Sequence, residues 1–174
     1  SNNTAVGSNA LLANTTGTVN TAVGRESLLC NTTGSSNTGL GSNALARVTT
    51  SGCNTAVGHN SLFNNTAANN TAVGYSALVA NTTGTENTAI GQNALTKNTT
   101  ADNNTAMGNS ALACNTTGHT NTGLGRIALL DNTTGYANVA VGHGALANNT
   151  TGFGNVSIGL NSMSANTAGE DNVS

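Results

Sequence analysis

The segments "NTAVGSNALLANTTGTV", "NTAVGRESLLCNTTGSS" and "NTGLGSNALARVTTSGC" follow one another without a gap from residue 3 to residue 53. A chain that restates itself every 17 residues can bury a core only by stacking each copy on the next. With the Asn of "NTAVG" as position 1, repeats begin at Asn3, Asn20, Asn37, Asn54, Asn70, Asn87, Asn104, Asn121, Asn138 and Asn155, and Asn172 opens an eleventh. Every spacing is 17 except that from Asn54 to Asn70, which is 16. The missing residue falls in "NTAAN", where sister repeats read "NTTGTE" or "NTTADN", so the stretch is a turn that tolerates a deletion.

Aligned in columns, the repeats show what each position does. Position 5 is Gly throughout, from Gly7 to Gly159, and position 4 is always apolar: Val6, Val23, Leu40, Val57, Val73, Ile90, Met107, Leu124, Val141 and Ile158. Position 9 is Leu from Leu11 to Leu146 and then Met163, while positions 3 and 8 hold only Ala, Ser or Gly. Position 13 is always Thr, position 12 is Asn except at Val48, and positions 6, 7, 16 and 17 vary freely.

A helical repeat needs about 30 residues or more to turn and return. Seventeen suits one coil of a parallel β-solenoid instead, with two short strands, "TAVG" and "ALxx", joined by a Gly corner and the longer "NTTG" turn. The pattern therefore predicts an all-β chain of about ten 17-residue coils, a single repeat domain over residues 1–174, and a segment of something longer. Positions 4 and 9 are the expected buried columns, and the corner glycines should stack along one edge. Coils about 4.8 Å apart would make a rod roughly 50 Å long. Asn side chains in register can form hydrogen-bonded ladders along such a stack, or bond the backbone of their own turn.

One detail of the strand points outside the chain. Positions 3 and 4 of "TAVG" face opposite sides, yet both are apolar. The small one fits a narrow interior, which leaves the larger one in need of cover. Each coil also offers only about two large apolar side chains against the ordering entropy of its whole length, so association with further copies is expected.

Composition removes several classes of function. Only 6% of the 174 residues are charged, the formal net charge is −2, and four Lys and Arg residues give no footprint for nucleic acid. No apolar run approaches the roughly 20 residues of a membrane span. Low charge, the absence of Pro and a regular apolar pattern argue against disorder.

The wordings "AVGSNAL", "AVGYSAL" and "AIGQNAL" resemble the "VAIGxxAxA" core of YadA-like head repeats in trimeric autotransporter adhesins. The longer wording "NTAVGYxAL…NTTG" is similar to repeat regions of tail-fibre-type proteins. The resemblance spans essentially the whole chain. It implies a left-handed parallel β-roll, a side-by-side homotrimer or filament, and an extracellular, cell-surface or virion fibre. The period departs from the usual fourteen or so of the head repeats, with the excess in the "NTTG" turn.

Residues able to carry chemistry are scattered. His59 and His143 share position 6 but lie five coils apart, about 24 Å by the stacking distance, and His119 lies in a turn. Glu26, Glu86, Asp102, Asp131, Glu170 and Asp171 form no repeating Asp turn of the calcium-binding kind. Ser27, Ser61 and Ser162 replace Ala in a packed column with no general base beside them. Cys30 and Cys114 share position 11 five coils apart, too far for a bridge, and Cys53 stands in the turn region. The expectation is a protein that is not an enzyme and that uses neither metal nor cofactor.

Two surface features invite a functional reading. Sequons recur in register at Asn14, Asn31, Asn81, Asn98, Asn115, Asn132 and Asn149, and others lie out of register at Asn2, Asn64, Asn69, Asn103 and Asn155. These are candidate glycosylation sites, although Asn-Thr-Thr-Gly is also good turn chemistry. Thr columns at positions 2, 13 and 14 raise an ice-binding face as the alternative function. Flat ladders of that kind need Thr two apart on one strand face, whereas positions 13 and 14 are adjacent and point apart. The sequence therefore favours a structural fibre or adhesin shaft. Its ligand contacts, to a host surface or glycan, would fall in the variable positions and include Tyr75, Tyr136 and Phe153.

Overall fold

Each repeat contributes one strand, and each strand pairs in parallel with the strands before and after it. The computed structural model describes residues 2–174. Its strands are β1 (Thr4–Val6), β2 (Thr21–Val23), β3 (Thr38–Leu40), β4 (Thr55–Val57), β5 (Thr71–Val73), β6 (Thr88–Ile90), β7 (Thr105–Met107), β8 (Thr122–Leu124), β9 (Val139–Val141) and β10 (Val156–Ile158). They form a single sheet in sequence order, so the chain is a parallel β-solenoid with a repeat of about 17 residues.

Like positions pair with like. Thr21 lies opposite Thr38 and Val23 opposite Leu40. The short coil keeps this register, with Thr55 opposite Thr71 and Val57 opposite Val73. Its deletion is absorbed between Asn65 and Ala67: the Asn65 amide donates to the carbonyl two residues on, at 2.7 Å, where Asn31 reaches three residues on to Gly34, at 3.0 Å. The turn shortens and the strand does not move.

Strand alternation decides which face is which. Position 3 points inward, and Ala22, Ala56, Ala72, Ala89, Ala106 and Ala140 are fully buried. Opposite them sit the position 9 leucines from Leu28 to Leu146, also fully buried, with small residues of position 8 between. The interior is therefore one leucine and two small residues thick, and nothing larger fits. Position 4, expected as a second buried column, instead faces outward: Val23 is 37% exposed and Met107 43%. The apolar column is real, but its cover must come from outside the coil.

At Gly39, where the inner column loses a methyl group, a neighbour compensates. Ser27 at position 8 donates its hydroxyl to the Gly39 carbonyl at 2.9 Å, and a Cβ on Gly39 would lie 2.5 Å from that hydroxyl. The extra oxygen occupies the volume that Ala fills in other coils.

The expected second strand is absent. "ALxx" folds as successive turns, in which positions 7 and 9 both take left-handed φ: 58° at Glu26, 52° at Leu28 and 54° at Leu45. A Leu in this region costs about 1 kcal/mol or more, because its Cβ crowds the following carbonyl. Stacking holds it there. The Leu28 N–H donates forward to Ala44 at 3.0 Å, the Cys30 N–H forward to Ala46 at 3.0 Å, and the Glu26 N–H back to Ser8 at 2.9 Å. This side is bonded to both neighbouring coils without an extended backbone.

The corner glycines do stack along one edge. Gly41 has φ 137°, and a Cβ there would sit 2.6 Å from the Gly58 carbonyl oxygen of the next coil. Any side chain in this column would push two coils apart, which accounts for Gly at every corner.

Candidate functional site

The surface has no cleft among the described residues, so the candidate site is a face rather than a pocket. Its centre is the outer side of the sheet. Position 2 threonines, from Thr21 to Thr122, and position 4 aliphatics project there from alternate residues of each strand. Toward the C-terminal end the threonines give way to Val139 and Val156, and the strand face becomes wholly apolar. Neither strand column contains a charged residue.

Two variable columns flank the strands in chain order. On the position 6 side, the rings of His59 and Tyr75 stack with centroids 5.4 Å apart and planes 11° apart. Further along, Arg126 Nη1 lies 3.0 Å from His143 Nε2. On the position 16 side, His119, Tyr136 and Phe153 form a three-ring stack with centroid separations of 5.2 and 4.7 Å. Coil stacking thus brings Tyr136 and Phe153 together and leaves Tyr75 on a different column. The stacked ring faces cover one another, and Tyr75 and Tyr136 remain exposed. Among the described residues the one salt bridge, Arg25 to Glu26 at 3.1 Å, joins sequence neighbours at the surface and contributes little.

The in-register sequons sit elsewhere, under the "NTTG" turns. Asn31, Asn81, Asn98, Asn115, Asn132 and Asn149 are fully buried. Each amide donates twice: Asn115 Nδ2 bonds Asn98 Oδ1 of the preceding coil at 2.9 Å and the Gly118 carbonyl of its own turn at 2.8 Å. Asn132 and Asn149 repeat the pattern on Asn115 and Asn132. Asn14 is half-buried and accepts from Asn31 at 3.0 Å. The nitrogen that would carry a sugar is turned inward and engaged, so attachment at these positions requires the turn to open. Among the out-of-register sequons, Asn2, Asn69 and Asn103 are exposed.

A second amide column, at position 1, was not singled out in the sequence. Asn37 N–H donates to Asn20 Oδ1 at 2.9 Å, and Asn20 Nδ2 donates to the Gly34 carbonyl at 2.8 Å. That carbonyl also accepts from Asn31, at 3.0 Å. In each coil with Asn at position 12, one backbone oxygen ties both amide columns together. The available signal was Asn at position 1 in every repeat, a column as invariant as the corner glycine.

Threonine at position 13 completes the turn. The hydroxyl of Thr116 donates to the Thr133 carbonyl at 3.0 Å, and that oxygen also receives the N–H groups of Thr116, Thr117 and Gly118 at 3.0, 3.2 and 3.3 Å. Three successive N–H groups converge on one acceptor, a nest filled by the next coil.

The remaining reactive side chains stay dispersed. Cys114 Sγ lies 3.7 Å from Lys97 Nζ and 3.9 Å from Asp131 Oδ1, all in the position 11 column. Cys30, Cys53 and Cys114 are free thiols. No helix of the described residues is long and apolar enough to cross a membrane.

No family model, curated protein or solved structure matches the chain.

Proposed function

We propose that this chain is a non-enzymatic rod, a shaft of an extracellular or virion fibre or adhesin, which associates with further copies of itself through the outer face of its sheet. The observation that carries the reading is the position 4 column: apolar in every coil, uncharged along its length, and left partly or fully exposed by a coil interior already full. Soluble monomers rarely leave a contiguous apolar strip of this length uncovered. The assembly proposed is a side-by-side trimer, in which three such faces close around an axis parallel to the coil stack. Tyr75, Tyr136 and Phe153 on the flanking columns are the proposed contacts to a host surface or glycan. Dispersal of the histidines and carboxylates among separate coils supports a structural role rather than a catalytic one.

Sedimentation tests the association. The expected mass at micromolar concentration is about three times the 17.0 kDa of one chain. Ile90→Lys, on the outer face, should return it to one chain with the circular dichroism of the folded coil retained. A native chain that sediments as a monomer at tens of micromolar overturns the proposal.

The ice-binding reading keeps one observation in its favour. Position 2 threonines and position 4 aliphatics share the outer face in register, a two-residue spacing that columns 13 and 14 lack. The position 13 hydroxyls, by contrast, are engaged with the next coil's carbonyl. Unshaped ice crystals grown in the presence of the chain would remove this alternative.

A further inference from the structure

The position 12 ladder has one interruption. In the third coil the column holds Val48, fully buried like the asparagines it replaces. Val48 has no amide to give, and Asn31 Oδ1, which an Asn at this place would reach, is buried with no hydrogen-bond partner. On the other side Asn65 donates only to its own turn, at Ala67. A buried acceptor left unpaired bears the loss of its hydration with no hydrogen bond to offset it.

A second defect lies at the same junction. In most coils the position 13 carbonyl gathers backbone N–H groups from the preceding coil, as Thr49 does from Thr32, Thr33 and Gly34 at 2.8, 3.2 and 3.3 Å. Thr66, the equivalent oxygen of the fourth coil, receives no backbone N–H from Thr49, Thr50 or Ser51 among the described residues. Its one donor from that coil is the Ser51 hydroxyl. The fourth coil is also the shortened one, so its turn is a residue too tight to meet the turn before it.

The other edges of the junction are intact. Thr38 pairs with Thr55 and Leu40 with Val57 in the sheet. Asn54 N–H reaches Asn37 Oδ1 at 3.1 Å, and the Arg47 N–H reaches Phe63 at 3.2 Å. The two coils are thus bonded through the sheet, the position 1 amides, the position 11 backbone and the end of the turn, where Asn69 N–H donates to Gly52 at 3.3 Å, while the first half of the turn, positions 12 to 15, keeps only the Ser51 hydroxyl.

From this we infer that the turn edge between the third and fourth coils is a built-in seam. It opens while the sheet stays closed, and it presents the Arg47–Val48 peptide bond to an endopeptidase specific for basic residues. Local opening draws on the least-bonded backbone, and cleavage of a folded chain follows the population of the opened state. Here that population belongs to one turn out of ten coils. Arg47 is exposed, with its guanidinium 5.1 Å from the centroid of the Phe63 ring.

The chain contains its own control. Lys97 occupies the same position 11 and is also exposed, but the next residue is Asn98, which donates to Asn81 Oδ1 at 2.9 Å and to the Ala101 carbonyl at 3.1 Å. Limited trypsin digestion of the full chain, with each rate divided by that of the same bond in a short peptide, compares the two. The expected first nick is at Arg47–Val48, about tenfold or more ahead of Lys97–Asn98. Val48→Asn should bring the two rates together, and Asn98→Val should move Lys97 toward the rate of Arg47 in a chain whose third coil is untouched. Equal normalised rates in the native chain overturn the inference. So does a Val48→Asn chain, folded by circular dichroism, that is still cut first at Arg47.

Discussion

The turn edge between Asn31 and Asn65 and that between Asn81 and Asn166 are built from the same seventeen-residue instructions, yet they hold together differently. In the second stretch each amide finds the one before it, at 2.8–3.0 Å from Asn98 to Asn166. In the first a single side chain without a donor leaves an acceptor stranded, and the neighbouring backbone bonds are lost as well. Val48 and the asparagines of the second stretch are alike fully buried, so burial does not separate them. What separates them is whether each buried amide has somewhere to point. In a stack one residue wide, a polar group has a partner above and a partner below, and a substitution is felt by both.

The largest effect should come from transplanting the defect into the sound stretch. Asn115→Val strands Asn98 Oδ1 and removes the acceptor of Asn132, so it should lower stability by about 2–4 kcal/mol, read as the shift of a urea unfolding midpoint. A loss below 0.5 kcal/mol would mean that the ladder is ornamental. Repair of the weak stretch is the next test. Val48→Asn gains two buried hydrogen bonds, one of them to Asn31 Oδ1, offset by the lost burial of the valine methyls, for a net gain of about 1 kcal/mol. A melting temperature unchanged or lowered by this substitution would break the comparison. The smallest contrast lies at position 13. Thr116→Val removes the hydroxyl bond to Thr133 and should cost about 0.5–1 kcal/mol. Thr49→Val, at the junction where the equivalent turn bonds are missing, should cost measurably less in the same unfolding assay.

Much of the architecture can be read from the repeats themselves. The period, the coil boundaries, the deletion lodged in a turn, the Gly edge and the Leu interior all follow from columns such as Gly7 to Gly159 and Leu28 to Leu146, whose chemistry admits few alternatives. Three features resisted such reading, each for a physical reason. Position 4 is apolar and periodic, which resembles a core column, but whether an apolar residue is covered depends on how thick the coil is, and only Ala22 facing Leu28 reveals that thickness. "ALxx" was expected to be extended, since nothing local in Leu28 or Leu45 favours φ near 52–54°; hydrogen bonds from the coils on either side impose it. The position 1 asparagines look like turn residues because Asn so often is one. Their role as a buried rail became visible only when Asn20, Asn31 and the Gly34 carbonyl were seen to meet.

The resemblance of the in-register sequons to glycan sites illustrates the same limit. Asn-Thr-Thr-Gly satisfies the acceptor pattern in one dimension, while the fold spends both amide hydrogens of Asn98, Asn115 and Asn132 on their neighbours. Exposed Asn69 and Asn103 satisfy the pattern without that obstacle.

The bonds that join one coil to the next, such as Thr38 N–H to Asn54 and Leu28 N–H to Ala44, lie along the direction in which the coils stack. That arrangement sets how the rod meets a load. Side loads and compression are shared by every column at once, because bending must strain many bonds together. Tension between the two ends is different, for it concentrates on the outermost coil and peels its bonds in turn like a zip. Each coil that lets go releases 17 residues of chain, about 60 Å of slack, against the roughly 5 Å it occupied in the stack. A solenoid of this kind should be stiff until pulled and should then lengthen in steps, with a reserve of chain that grows with each repeat added.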